Sequence, residues 1–273
     1  MEKVPLLGGD PKRFFLLGTS FPTAQRQSIL SLLLEYSDVF TWSPYEAPGV
    51  DPDFACHSLN VDPQSRPVIQ KGRWITPQHV EVVYDEVDKL IKARPIREIL
   101  YPKWLSNTVV VKKMSGKLRV CVDFTGLNKA YLKDPFPFPR IDQLVDVTSG
   151  HQRMSFLDAF QGYHQIALNP TDQEKIVFIT PRGIFCYRVM PFGLKNARSM
   201  CQKMVTKMFS QQIGKTVEVY VNDMVVKSLH GEEHLDDFRN VFDTLRCHHL
   251  KLRASKCTFG VGLGKLLGFM VTQ

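Results

Sequence analysis

Asp158 lies near the end of a short run, residues 155–159, that reads as a strand, and Asp223 follows Asn222 after the alternating Val217, Val219 and Val221. An alternation of period two marks a strand whose side chains point to opposite faces. Residues 217–221 are therefore predicted as a strand, Asn222-Asp223 as a two-residue hairpin turn and Met224-Val225-Val226 as the return. Carboxylates that converge from separate strands are what a hard divalent cation requires, because such ions take oxygen ligands. The same pair has a plainer reading. Asn and Asp both tolerate the left-handed conformation of tight turns, so Asn222-Asp223 in isolation reads first as a turn and nothing more. Other candidates carry similar alternatives. Lys112, Lys113 and Lys117 make a basic hairpin tip that either grips phosphate or is solvated. Tyr163 alone reads as a core tyrosine. Cys247-His248-His249 with Cys257 lacks the ligand spacing of a structural zinc site.

These residues need elements to hold them. Residues 108–111 and 118–124 are predicted as paired strands on either side of the lysine tip. Residues 155–159 and 163–168 read as strand pieces about a break at Gly162, and 176–180 with 185–190 as a hairpin about Pro181-Arg182-Gly183. A helix is expected over 196–212. Another starts at Thr76-Pro77, with Thr as N-cap and Pro at the first helical position, and ends near Arg94-Pro95. Val80, Val83, Val87, Leu90 and Ile91 share one of its faces. Ile29, Leu32 and Leu33 form an earlier amphipathic helix, and Leu235, Phe238, Val241, Phe242 and Leu245 a late one. Residues 265–271 read as a short strand or hairpin, and 1–20 as irregular. Residues 1–75 are read as an extension and linker with one amphipathic helix, Pro-rich over 43–75, and residues 76–273 as the main domain. The mixture is α+β with antiparallel pairing.

Composition bounds the function class. The chain has 273 residues, 44% of them apolar and 18 of them Phe, enough for a packed core. Lys plus Arg outnumber Asp plus Glu by 35 to 27, and the resulting charge of +8 suits a polyanionic partner such as nucleic acid. The six cysteines form no CxxC pair, which favours reduced thiols and an intracellular setting over a disulfide framework. No apolar stretch approaches the ~20 residues of a membrane-spanning helix, so no membrane partner is expected.

From Tyr101 onward, and more weakly back to about Phe14, the chain resembles the reverse transcriptases of gypsy-class LTR retrotransposons, particularly the plant type. Several motifs carry the resemblance, in order. Val109-Val110-Val111-Lys112-Lys113 precedes Leu118-Arg119-Val120-Cys121-Val122-Asp123-Phe124 and Leu127-Asn128-Lys129. Pro135-Phe136-Pro137-Phe138-Pro139-Arg140-Ile141-Asp142 and Phe156-Leu157-Asp158 follow, then Gly162-Tyr163-His164-Gln165-Ile166. Met190-Pro191-Phe192-Gly193-Leu194-Lys195-Asn196-Ala197, Tyr220-Val221-Asn222-Asp223 and Leu267-Gly268-Phe269 complete the series. One such motif is weak; the ordered set is specific.

The resemblance implies the fingers and palm of a right-hand polymerase, with an antiparallel palm sheet backed by helices. It implies RNA-directed DNA polymerase activity with two Mg²⁺ or Mn²⁺ ions, set about 3.5–4 Å apart in such chemistry. The implied partners are an RNA or DNA template-primer and dNTPs, with other Pol polyprotein segments as possible associates. Asp158 and Asp223 become metal ligands. Lys112 or Lys113 and Arg119 grip the triphosphate, Tyr163 lies under the sugar, and Phe192 and Gly193 line the nucleotide pocket. Gln202 and Tyr220 are expected near the template-primer, and Gly268 in the segment that steadies the primer end. The chain ends where the family's palm is barely complete, so no thumb is expected within it. Arg198, Cys201 in place of a usual aromatic, and Arg94-Pro95 depart from the family pattern.

The sharpest departure is Asn222, where the family turn carries a third carboxylate. Asn keeps a carbonyl oxygen but lacks the charge that offsets cations. Removing a key electrostatic group of this kind costs about 2.7–4 kcal/mol, or at least roughly 10²-fold in turnover. Three readings follow: an active or impaired polymerase, a retroelement remnant that folds or binds nucleic acid without catalysis, and a basic nucleic-acid-binding domain with no metal dependence.

Overall fold

The computed structural model describes residues 1–5, 13–19, 23–43, 47–114 and 116–272. In chain order the strands are β1 (Glu2–Pro5), β2 (Phe14–Leu17), β3 (Phe40–Thr41), β4 (Cys56–His57), β5 (Ile96–Glu98), β6 (Ser106–Lys112), β7 (Leu118–Val122), β8 (Arg153–Asp158), β9 (Ala167–Leu168), β10 (Val177–Thr180), β11 (Gly183–Tyr187), β12 (Val217–Tyr220), β13 (Asp223–Ser228), β14 (Leu252–Arg253), β15 (Thr258–Val261), β16 (Leu263–Leu266) and β17 (Phe269–Thr272). The helices are α1 (Thr23–Glu35), α2 (Pro77–Ala93), α3 (Thr125–Lys129), α4 (Ile141–Thr148), α5 (Pro170–Gln173), α6 (Ala197–Met208) and α7 (His234–Cys247). Two compact units result. One comprises Met1–Gly49, Phe136–Gly162 and Cys201–Gln273; the other comprises Val50–Pro135 and Tyr163–Met200.

The first unit is built on a six-stranded sheet in the order β1-β2-β15-β8-β13-β12. β8 and β13 lie side by side in its interior, antiparallel along six residue pairs from Asp223↔Asp158 to Ser228↔Arg153. Many of the phenylalanines lie in the core of this unit. Phe15, Phe40, Phe238, Phe242 and Phe259 are all buried and meet edge to face or tilted, with centroids 4.9 Å apart for Phe15–Phe40 and 4.4 Å for Phe238–Phe242. Such geometry adds to area burial because ring edges and faces carry opposite partial charge. α1 buries Ile29, Leu32 and Leu33, the face expected from their spacing. The first residues depart from the irregular expectation. β2 alternates half-buried and buried residues, and it pairs in parallel with β15 through Leu16↔Thr258 and Leu17↔Phe259. A strand of four residues whose partner comes some 240 residues later leaves little local signal.

The second unit holds a five-stranded sheet in the order β5-β11-β10-β6-β7. β6 and β7 form the expected hairpin, from Thr108↔Val122 to Lys112↔Leu118. α2 begins after Thr76 and ends at Arg94, which adopts a left-handed conformation (φ 64°) before Pro95. Proline disfavours a helical residue before it, so the helix stops there. The run 163–168, expected as a strand, is instead a 3-10 turn over Gly162–Gln165 followed by the two residues of β9. Among the described residues no helix is long and apolar enough to cross a membrane.

Candidate active site

The turn at the end of β12 is one residue earlier than its sequence suggests. Tyr220 pairs with Asp223, so the two loop residues are Val221 and Asn222, and Asp223 is the first residue of β13. This shift has a chemical consequence. A loop aspartate is free to wander, whereas Asp223 is fixed in register directly opposite Asp158. Directly opposed residues hold their Cβ atoms about 4.5–5.5 Å apart, a distance at which like charges repel. Burial first, and then the Asp158 charge, push the Asp223 carboxyl above its ordinary range, while Lys256 pulls it back. Lys256 Nζ stands 2.9 Å from Asp158 Oδ2. Asp158 and Asp223 open into a cleft of about 290 Å³ whose wall also includes Ser255, Lys256, Lys265 and Leu266.

Asn222 is tightly held. Its backbone oxygen accepts the Ala159 N–H at 2.9 Å, joining the turn to the end of β8. Its Oδ1 lies 3.5 Å from Cys201 Sγ, whose thiol also faces the Val221 oxygen. Gly162 borders the same oxygen so closely that a Cβ there would come within 2.3 Å of it. Val221 has φ 56°, a left-handed conformation rare for a β-branched residue and worth about 1–3 kcal/mol of strain. Gln202 offsets that strain. It is fully buried, accepts the Val221 N–H on Oε1 at 2.8 Å, and donates from Nε2 to the Val219 oxygen and Thr206 Oγ1. Gln202, expected beside the template, thus has its carboxamide committed to the turn. Behind Asp158, the buried Cys257 Sγ accepts the Asp158 N–H at 3.5 Å, and burial pushes this thiol up to about 12, so it stays protonated. Tyr220 is half-buried with its ring 6.3 Å from Phe138. Gly268 (φ 101°) and Leu267 (φ 50°) form the two-residue loop of the β16–β17 hairpin, where both positions are left-handed as a type I′ turn requires.

In the second unit, three of the residues expected at the nucleotide come together. The Tyr163 and Phe192 rings meet edge to face at 4.7 Å, and the Arg119 guanidinium sits 4.8 Å over the Phe192 ring. Gly193 (φ 97°) takes a conformation suited to glycine, and its oxygen accepts from Asn128 Nδ2 at 2.8 Å. Asn128 Oδ1 and the Tyr131 hydroxyl both accept the Lys195 N–H, so α3 and the residues after it anchor the loop that carries Phe192. Lys112 and Lys113 lie exposed at the β6–β7 tip, where Lys112 pairs with Leu118, the residue before Arg119.

Sequence reasoning singled out the two aspartates, Asn222 and the aromatic pair by type and order. It missed Lys256 and Cys257, which reach Asp158 from 98 and 99 residues away. It also missed Asn128, whose only signal was its place in the Leu127-Asn128-Lys129 motif.

The family model described as reverse transcriptase (RNA-dependent DNA polymerase) matches residues 110–271, more than half of the chain. The chain belongs to the reverse transcriptase family. An uncharacterized protein of Caenorhabditis elegans is 36% identical over 75% of this chain and 16% of its own length. The retrovirus-related Pol polyprotein from transposon 297 of Drosophila melanogaster is 30% identical over 79% of the chain and 21% of its own. The reverse transcriptase fold is also that of the foamy viral protease-reverse transcriptase solved in complex with an RNA/DNA hybrid. It superposes with a TM-score of 0.81 at 18% identity over 93% of this chain and 34% of that one. The α+β architecture of polymerase fingers and palm follows. The chain spans about a fifth or less of the length of these two relatives.

The donor set at β8 and β13 suits one divalent cation, since two carboxylate oxygens from fixed, opposed positions are what Mg²⁺ or Mn²⁺ would take. A second ion would need the charge that Asn222 lacks. Among the described residues no group of three or more His, Cys, Asp or Glu side chains converges.

Proposed function

We propose that this chain is the polymerising segment of a retrotransposon Pol polyprotein, of the plant gypsy type, that extends a primer 3′-hydroxyl with dNTPs on an RNA or DNA template. The observation that carries this reading is the direct pairing of Asp158 with Asp223 at the mouth of a cleft. Asp158 and Asp223 would hold Mg²⁺ or Mn²⁺. When bound, such ions activate the 3′-hydroxyl and neutralise phosphate charge. The remaining roles belong to the chain's own groups. Arg119 offers a planar fork that matches phosphate oxygens, and Lys112 and Lys113 offer point charges. Tyr163 and Phe192 present an aromatic wall to the nucleotide's sugar, and Gly193 lets the backbone approach closely. Gly268 belongs to the hairpin that steadies the primer, and Tyr220 to the template-primer side. Support for a nucleic-acid partner comes from the +8 charge and from the RNA/DNA hybrid held by the foamy viral relative. Residues 76–273 form the fingers and palm, and other Pol segments are further partners.

A second reading is a remnant that folds and binds nucleic acid without polymerising, and Asn222 is the observation that favours it. One comparison separates the two. Wild-type and Asn222→Asp proteins are each given a primed RNA template, dNTPs and Mg²⁺ or Mn²⁺, with Asp158→Asn as the silent control. The proposal predicts a rise of at least roughly 10²-fold in extension rate for Asn222→Asp, the size expected for restoring a key charged group. An unchanged rate in an active wild type removes the assigned role of residue 222. Silence in both proteins favours the remnant.

A further inference from the structure

The Asp158–Asp223 pair is faced by an ammonium of the chain's own. Lys256 ends a 3-10 turn, Ala254–Lys256, whose flanks are pinned: Ala254 and Cys257 are fully buried, and the Cys257 N–H bonds to the Arg253 and Ala254 oxygens. Cys257 in turn accepts the Asp158 N–H. The Lys256 backbone is therefore fixed against the end of β8, and its side chain reaches Asp158 Oδ2 at 2.9 Å while remaining half-exposed. Asp158 and Asp223 carry two negative charges, and Lys256 returns one positive. With Asn222 uncharged, the cluster is closer to neutral than a site with three carboxylates. The oxygen that Lys256 occupies is one of those a divalent cation would take, and an ammonium so near would repel that ion. Its flexible stem and exposure let it swing into water at little cost.

We propose that Lys256 is the resident counter-ion of the Asp158–Asp223 pair, and that a divalent cation enters the site by displacing its ammonium from Asp158 Oδ2. This rests on the metal-binding reading given above. The test uses Mn²⁺ itself, with free ion followed by its paramagnetic resonance signal, on the wild type, Lys256→Met, Lys256→Arg and Asp158→Asn. Lys256→Met is expected to bind Mn²⁺ roughly 2- to 5-fold more tightly, the scale of a partly exposed ion pair, and Lys256→Arg no more tightly than wild type. Thermal unfolding in chelator supplies an arm independent of metal: Lys256→Met lowers Tm in the wild-type background and leaves Asp158→Asn unchanged. Equal Mn²⁺ affinity in wild type and Lys256→Met overturns displacement, and equal Tm losses in both backgrounds overturn the counter-ion role. Mn²⁺ binding that never depends on Asp158, in any variant, instead removes the metal-binding reading, and displacement with it, while the unfolding arm still judges the counter-ion.

Discussion

A Cβ at residue 162 would lie 2.3 Å from Asn222 Oδ1 and 3.2 Å from its Cγ. The obstacle is the end of a short side chain, so Gly162→Ala is expected to cost little stability, below about 1.5 kcal/mol, while turning the side chain at 222 aside. Thermal unfolding checks the first part. The second is read by comparing Asn222→Asp with Gly162→Ala/Asn222→Asp: extension by the double variant should fall at least ~10-fold, on the scale of a misplaced reacting group. Equal extension would mean that position 222 acts without this packing. At this scale the sequence was informative for residues whose type declares their chemistry, such as Asp158 and Asp223. It was silent on Gly162 beyond a break in a strand, because a glycine records only that no side chain fits, not which neighbour excludes it. Lys256 was equally hidden: one lysine among 35 basic residues acquires meaning only from the carboxylate beside it.

At the scale of elements, period-two alternation located β12 and β13, yet their turn was placed one residue late. Asn222-Asp223 has the better turn composition, and the structure instead puts Val221 in the left-handed position. A local preference was overridden by a tertiary contact, the buried Gln202 carboxamide that satisfies Val221 N–H and the Val219 oxygen. Gln202→Ala should therefore do more than open a cavity. It leaves a buried donor unmade, a cost of about 1–3 kcal/mol, and releases the strained turn. The expected result is a fall in Tm of roughly 3–10 °C, given about 2–4 °C per kcal/mol in a chain of this size. The fall should come with weaker Asp158-dependent Mn²⁺ binding, since Asp223 begins the strand that this turn sets. A Tm loss with unchanged Mn²⁺ binding would confine Gln202 to stability. The strand expected over 163–168 is likewise replaced by a 3-10 turn, Gly162–Gln165, after which the Ile166 N–H bonds back to the Tyr163 oxygen at 3.1 Å.

Across the whole molecule, three histidines tie stability to pH; one of them, His164, is lowered to about 4 by burial and then by the Arg119 charge. His234 is enclosed between Ser155 Oγ and Ser228 Oγ, each 2.9 Å from one ring nitrogen, and burial, with Arg153 nearby, lowers it to about 4. His57, in β4, is lowered to about 4 by burial despite Asp172 and Asp134, and its Nε2 is buried without a hydrogen-bond partner. All three folded values lie below the unfolded value of 6.5, so the unfolded chain binds more protons between pH 6.5 and 4. Stability is then fully present above about pH 6.5 and is lost as pH falls toward 4, by up to roughly 2–3 kcal/mol per histidine. Asp223 and Asp237, both raised chiefly by burial, act in the opposite sense: protonation relieves them as pH drops toward the carboxylate range. Asp38 and Asp123, held low by hydrogen bonds from Arg246 and Thr125, lose their contribution only in more acid solution. The window between pH 6.5 and about 5 therefore belongs to the histidines. Denaturant titrations of the wild type at pH 7.5 and 5.0 should show a clear loss of unfolding free energy. His234→Asn keeps hydrogen-bonding capacity toward Ser155 and Ser228 but cannot titrate, so its loss over the same interval should be smaller by about 1–2 kcal/mol. An identical loss in His234→Asn would assign the acid sensitivity elsewhere, first to His57 and His164.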